Sequence, residues 1–205
     1  MQDLIQHIIN GISLGSIYAL IALGYTMVYG ILHLINFAHS DVYMVGAFAA
    51  YYTARFLGIH QSPGISTLII LTVSSMVACS VVGLAIERFA YRPLRQAPKL
   101  NILITAIGVS LLLQYLGQLI FGASPKVFPQ ILEDSVLFSL GEVPLKLFDI
   151  TVLVITLIMM MILHFVIFKT KLGKAMRAVS TNMTVAKMMG VNTDRIIAFT
   201  FVVGS

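Results

Sequence analysis

Polar residues in this chain are gathered into short stretches between long, uninterrupted apolar blocks. A hydrocarbon core about 30 Å thick takes about 20 mostly apolar residues per helical crossing. Blocks of that kind occupy residues 10–32, 41–57, 65–86, 101–121 and 149–168, and a sixth begins near Ile196. The breaks between them carry helix-stopping residues: Gly58 with Pro63, Pro93 with Pro98, and Gly122 with Pro125 and Pro129. The pattern predicts an all-α, polytopic membrane helix bundle with about five complete spans plus the start of a sixth. Residues 1–205 form a single transmembrane domain.

One stretch has a different period. Leu172, Met176, Val179, Met183, Ala186 and Gly190 recur at helical spacing, while Lys174, Arg177, Ser180, Thr181 and Lys187 lie mainly elsewhere on the wheel. This predicts one amphipathic helix, too polar and short to cross the bilayer. Gly190 suits its C-terminus, and Asn192, Thr193 and Asp194 offer a cap for the next span. Its apolar side needs either a protein surface or the lipid headgroups, and periodicity does not separate the two. Small residues at spacing four, Gly11, Gly15 and Ala19 and again Ser75, Cys79 and Gly83, predict faces on which helix backbones approach closely.

Composition agrees with a lipid environment: 59% of residues are hydrophobic and 10% charged, which excludes an ordinary soluble domain. The formal net charge of +5 is not the footprint of a nucleic-acid surface, because the basic residues sit in two short segments between blocks. Short loops rich in Lys and Arg stay cytoplasmic. Glu87–Lys99 holds Arg88, Arg92, Arg95 and Lys99 against one acid, and 169–195 is basic apart from Asp194, so both are expected inside. The segment 122–149, with Glu133, Asp134, Glu142 and Asp149 against Lys126 and Lys146, is expected outside, as is the N-terminus with Asp3. No basic region precedes the first block, which is therefore expected to stay as an uncleaved anchor. The single cysteine, Cys79, has no second thiol to pair with and is expected to be a small core residue.

Candidate chemistry is sparse. Gly11-Ile-Ser13-Leu-Gly15 matches the hydrolase G-x-S-x-G pattern, but that chemistry needs a strained strand-to-helix turn and this serine lies in a helical run. Packing or helix–helix hydrogen bonding accounts for it better, and the chain is not expected to be an enzyme. Asn36, His39 and Asp41 form the most polar interruption between two blocks. They are either a functional break in a translocation path, as ionisable groups at membrane depth often are, or Ser40 or Asp41 capping the second span with His39 at the interface. No cluster has the converging ligands of a metal site, and no cofactor is expected. A secondary transporter or channel for a small solute would need coupling-ion or filter residues within the spans, and only Asp41 and its neighbours qualify. No G-x-x-x-x-G-K-[S/T] loop is present, so any ATP chemistry belongs to a partner.

Three regions resemble the permease subunits of branched-chain amino acid ATP-binding cassette importers, the family that partners the leucine, isoleucine and valine binding proteins. The first is Gly15–Gly30 (GSIYALIALGYTMVYG) with Ile35–His39 (INFAH) and Met44–Phe48 (MVGAF). The second is Glu87–Arg95 (ERFAYRPLR) with Ile104–Ser110 (ITAIGVS), and the third is Leu172–Ala178 (LGKAMRA) with Ala186–Gly190 (AKMMG). Ser40 stands where the family usually has glycine, and Thr184-Val185 replace acidic and alanine residues that often open the coupling motif. The resemblance implies a multi-pass protein of the bacterial inner membrane that forms the translocation path with a second, homologous permease subunit. It implies a periplasmic or extracellular amino-acid-binding protein outside and ATP-binding subunits inside. It also implies a coupling loop at about 169–195, whose helix meets the ATPase through Gly173, Met176, Arg177, Ala178, Val179, Met183, Ala186 and Gly190. Family members continue through further spans, so the chain is expected to be incomplete at its C-terminal end.

Overall fold

The computed structural model describes residues 2–33, 35–58, 64–95, 97–129, 136–140 and 143–205. Pro63, Glu133, Asp134 and Glu142, used above for a break and for orientation, lie outside the described residues. Each apolar block is helical: α1 (Gln2–Leu32), α2 (His39–Phe56), α3 (Ile65–Ala85), α5 (Lys99–Phe121) and α6 (Leu147–Lys169). Past α3 the chain continues as a π-helical turn, Ile86–Tyr91, and a short α4 (Arg92–Leu94). The sequence places the end of this span at residue 86, yet the helix runs on through Glu87 and Arg88, because Glu87 finds an internal cation. Pro93 sits in the first turn of α4, where its missing N–H costs nothing.

Among the described residues, four helices are long and apolar enough to cross a membrane: Asp3–Leu32, Ile65–Leu94, Lys99–Phe121 and Leu147–Lys169. The second block is the exception. Its helix α2 has 18 residues and carries Asp41 in its first turn and Arg55 in its last. It lies along α3, and the contact explains one small-residue face. Ser75 Oγ donates to the Gly46 carbonyl at 2.8 Å and Cys79 Sγ to that of Val42 at 3.4 Å. A Cβ on Gly46 would stand 2.6 Å from Cys79 Sγ, so the helices meet as closely as they do only because Gly46 has no side chain. Gly83 on the same face meets α9 (Thr193–Gly204), where a Cβ would lie 3.1 Å from the Phe201 carbonyl oxygen. The other predicted face differs: a Cβ on Gly11 or Gly15 would meet nothing within 4 Å, so at those two positions α1 makes no close helix contact.

The buried core is concentrated at the end of the bundle where α1 stops and α2, α5 and α9 start. Val28, Val42, Ile102, Ile197 and Phe201 belong to it. Elsewhere the long helices expose apolar side chains such as Ile69, Val77, Leu112, Met161 and Phe165. Such exposure costs little when the surrounding solvent is hydrocarbon.

Two local features are added to the helical architecture the sequence predicts. The segment 122–149 contains a short antiparallel hairpin of β1 (Val136–Leu140) and β2 (Val143–Lys146). The amphipathic stretch, expected to be one helix, is two. It breaks at Asn182, which adopts extended backbone between α7 (Lys171–Thr181) and α8 (Met183–Met188). Asn182 Oδ1 accepts the N–H groups of Thr184 and Val185 at 3.0 Å, supplying α8 with the cap that starts a new helix.

Candidate functional site

The segment α7–α8 is anchored to the bundle at several points. Thr170 caps α7 by accepting the Gly173 N–H at 3.0 Å. The turn from α6 into α7 is so tight that a Cβ on Gly173 would collide with the carbonyl oxygens of Val166 and Ile167. Arg177 donates to the Ile167 carbonyl and lies 5.3 Å over the Phe168 ring. Ser180 donates to the Gly30 carbonyl near the end of α1. Gly190, at φ +84°, ends α8 in a left-handed turn: its N–H donates to the Lys187 carbonyl at 3.1 Å and the Val191 N–H to that of Ala186 at 3.0 Å. Asn192 Oδ1 then accepts the Arg195 N–H at 3.1 Å and caps α9, as its sequence position suggests.

These ties overturn the expectation that the apolar side of the segment awaits an outside surface. Met176, Val179 and Ala186 are buried in the chain's own core with residues of α1 and α9, and Gly173 is buried against the end of α6. Of the residues expected to meet a partner, Arg177, Ala178, Met183 and Gly190 are exposed. Leu172 of α7 is also exposed, and the largest free apolar surface of the segment is on α8 and its end, where Met188 and Met189 are each 80% exposed and Val185 is 52% exposed. A period of 3.6 assigns residues to a helix face, but the kink at Asn182 decides which face the second helix presents.

Asn36, His39 and Asp41 do not converge. Asn36 Oδ1 accepts the Tyr91 hydroxyl at 3.1 Å and the Ala38 N–H at 3.2 Å. His39 Nε2 lies 3.3 Å from the Ile21 carbonyl oxygen of α1, and its ring meets Tyr25 edge-on. Asp41 Oδ2 accepts the Ser110 hydroxyl of α5 at 2.5 Å. The capping expectation fails here: the cap residue of α2 is Ala38, without a side-chain cap bond, and Ser40 and Asp41 lie inside the helix. His39 and Asp41 tie α2 to α1 and α5, and Asn36, just before it, ties the break to the π-helical turn.

Ser13 donates to Asp149 Oδ1 at 3.0 Å, joining α1 to the first turn of α6. It is the helix–helix hydrogen bond expected of a serine in a helical run. A cavity of about 610 Å³ opens among α1, α2, α3 and α6, lined by Ile17, Met76, Ile155 and the polar His39, Ser75 and Thr156. No group of three His, Cys, Asp or Glu among the described residues is placed to hold a metal.

The ionic network that links Glu87, Arg92, Arg95 and Asp194 was not expected from the sequence. Arg95 pairs with buried Glu87 on one side and with Asp194 at 2.5 Å on the other, while Arg92 reaches Asp194 at 2.8 Å. Partial burial acts to raise the Asp194 pKa, and the guanidiniums of Arg95 and Arg92 together outweigh it, leaving the carboxyl below its ordinary value. The available clue was an acid among four bases in 87–99 and a lone acid in 169–195. Charge bias between loops assigns a side of the membrane and says nothing about which residues pair.

This geometry defines a class: a polytopic helical membrane protein whose amphipathic element folds back onto one end of the bundle and leaves a short apolar tip free. The profile of the family described as "Branched-chain amino acid transport system / permease component" matches residues 7–205. The chain is 38% identical to the high-affinity branched-chain amino acid transport system permease protein BraD of Pseudomonas aeruginosa, over 98% of this chain and 67% of that protein. It is also 38% identical to the corresponding permease protein LivH of Escherichia coli K12, again over 98% and 67%. A probable branched-chain amino acid transport permease protein of Methanocaldococcus jannaschii is 26% identical over 91% of this chain and 58% of its own length. No solved structure matches the chain. The chain belongs to the branched-chain amino acid transport permease family.

Proposed function

We propose that this chain is the membrane permease subunit of an ATP-binding cassette importer for branched-chain amino acids. It forms the translocation path with a second, homologous permease subunit, receives solute from a binding protein outside, and is driven by separate ATP-binding subunits inside. The names carried by its relatives support the solute class. The positive charge of 87–99 and 169–195 supports a cytoplasmic position for both and an outside N-terminus, in a bacterial inner membrane with about five complete spans. The cavity of about 610 Å³ supports a pathway, since its size and mostly apolar lining suit a small aliphatic solute.

The observation that carries the coupling role is the α8 tip. Met188 and Met189 are 80% exposed on a segment anchored to the core through Met176, Val179 and Ala186, a flexible apolar surface beside Lys187 that suits a groove on an ATPase. A secondary transporter gains no support from the polar break, because Asn36 and Asp41 each have an internal partner.

The test is the permease with its cognate ATPase in membranes. Met188→Asp with Met189→Asp should abolish ATPase co-purification and ATP-driven leucine uptake while insertion stays normal. Ala186→Arg is uninformative, since Ala186 is buried in the chain's own core. Unchanged ATPase binding in the aspartate variant removes the docking role, and saturable uptake without ATP refutes the importer.

A further inference from the structure

The segment Glu87–Arg95 lies apart from the α8 tip, and the proposed function leaves it without a task. Three features set it apart from an ordinary helix end. The turn Ile86–Tyr91 is π-helical, a local widening that is frequent at functional sites. Glu87 is among the most buried side chains of the chain, at the inner end of an apolar helix. The network is asymmetric: Glu87 has one cation, Arg95, whereas Asp194 has two, Arg92 and Arg95.

The asymmetry decides which contact can open. Losing Arg95 would leave Glu87 buried without a counter-charge, which is strongly unfavourable. Losing Asp194 leaves the Glu87–Arg95 pair intact, and Asp194 itself, with 48% of its side chain exposed, can be hydrated. Arg95 is therefore pinned on one side and exchangeable on the other. Asp194 lies in the first turn of α9, four positions after Gly190, close in the chain to the exposed tip. One turn after Glu87, Tyr91 donates to Asn36 and its ring packs 5.3 Å from Phe201 of α9.

Resting on the importer function above, we infer that Arg95, pinned by Glu87, is a positioning residue through which movement of the 183–194 segment is passed to α3. Asp194 is the releasable end of that link. A displacement of the tip acts on Arg95 through Asp194 while that contact holds, and once it opens the held guanidinium sets the position to which Asp194 returns.

The experiment uses the complete transporter in proteoliposomes, measuring leucine imported per ATP hydrolysed alongside the yield of assembled complex. Asp194→Asn keeps the buried pair, so assembly should match the parent. The import ratio should fall at least about fivefold, the lower end of coupling between sites, with ATP hydrolysis continuing. Asp194→Glu should restore most of the ratio. An unchanged ratio in Asp194→Asn overturns the inference, as does a loss of uptake and hydrolysis in step with lost assembly, which is a purely structural effect. A parent complex that shows no ATP-driven leucine uptake overturns the importer function itself, and the inference with it.

Discussion

Removing Arg95 should be the most damaging single charge change in the chain, and the structure sets its size. Glu87 and Arg95 side chains are 3% and 14% exposed, so Arg95→Met leaves a carboxylate in an apolar setting with no other cation among the described residues against it. Breaking a buried pair from one side costs about 3–5 kcal/mol. Asp194 loses a partner too, but it is half exposed and keeps Arg92, so that contribution is about 0–1 kcal/mol. Arg92→Ala removes only an exposed contact, 41% and 48% exposed on its two sides, and should fall in the same small range. Glu87→Met with Arg95→Met replaces the pair by apolar groups and should recover most of the loss. The protein carries its own probe, since its single cysteine, Cys79, is buried and reacts with a thiol fluorophore only on opening. The temperature of half-labelling should be lowest for Arg95→Met, near parental for Arg92→Ala, and raised again in the double variant. Equal losses for the two arginines, or a double variant no better than Arg95→Met, would refute the assignment of Glu87 as the buried anchor.

Gly46→Ala should destabilise by about 1–3 kcal/mol through overpacking, because its Cβ would stand 2.6 Å from Cys79 Sγ. Cys79→Ala in the same chain should recover most of that, read by circular-dichroism melting, and no recovery would show that the α2–α3 approach is limited elsewhere. Asp194 also fixes a pH response. Its folded pKa lies below the ordinary value of 3.8, so its stabilisation is complete above that value and is lost as pH falls through the lower folded pKa. The melting difference between the parent and Asp194→Asn should stay level from about pH 7 to 5 and shrink below about pH 4. A difference that changes between pH 7 and 5 would mean that another group controls the link.

The apolar blocks were legible in the sequence because crossing a bilayer demands a length of apolar helix that no other local requirement imitates. The positions of α1, α3, α5 and α6 follow from that demand, while α2 is helical without meeting it. Also legible were the glycine stop at Gly190 and the Asn192 cap, which depend on backbone chemistry within a few residues. The fold decided what depends on neighbours distant in sequence. Ser75, Cys79 and Gly83 became a packed face because Gly46 lies opposite them, while Gly11 and Gly15, with the same spacing, face open space. Asp41 found Ser110 of α5 and not its own helix end, and Glu87 entered the helix because Arg95 returns to meet it. The amphipathic pattern of 172–190 marked which residues prefer burial. Only the break at Asn182, with α7 folded beneath α1, determined that Met176, Val179 and Ala186 are buried by the chain itself while Met188 and Met189 stay exposed.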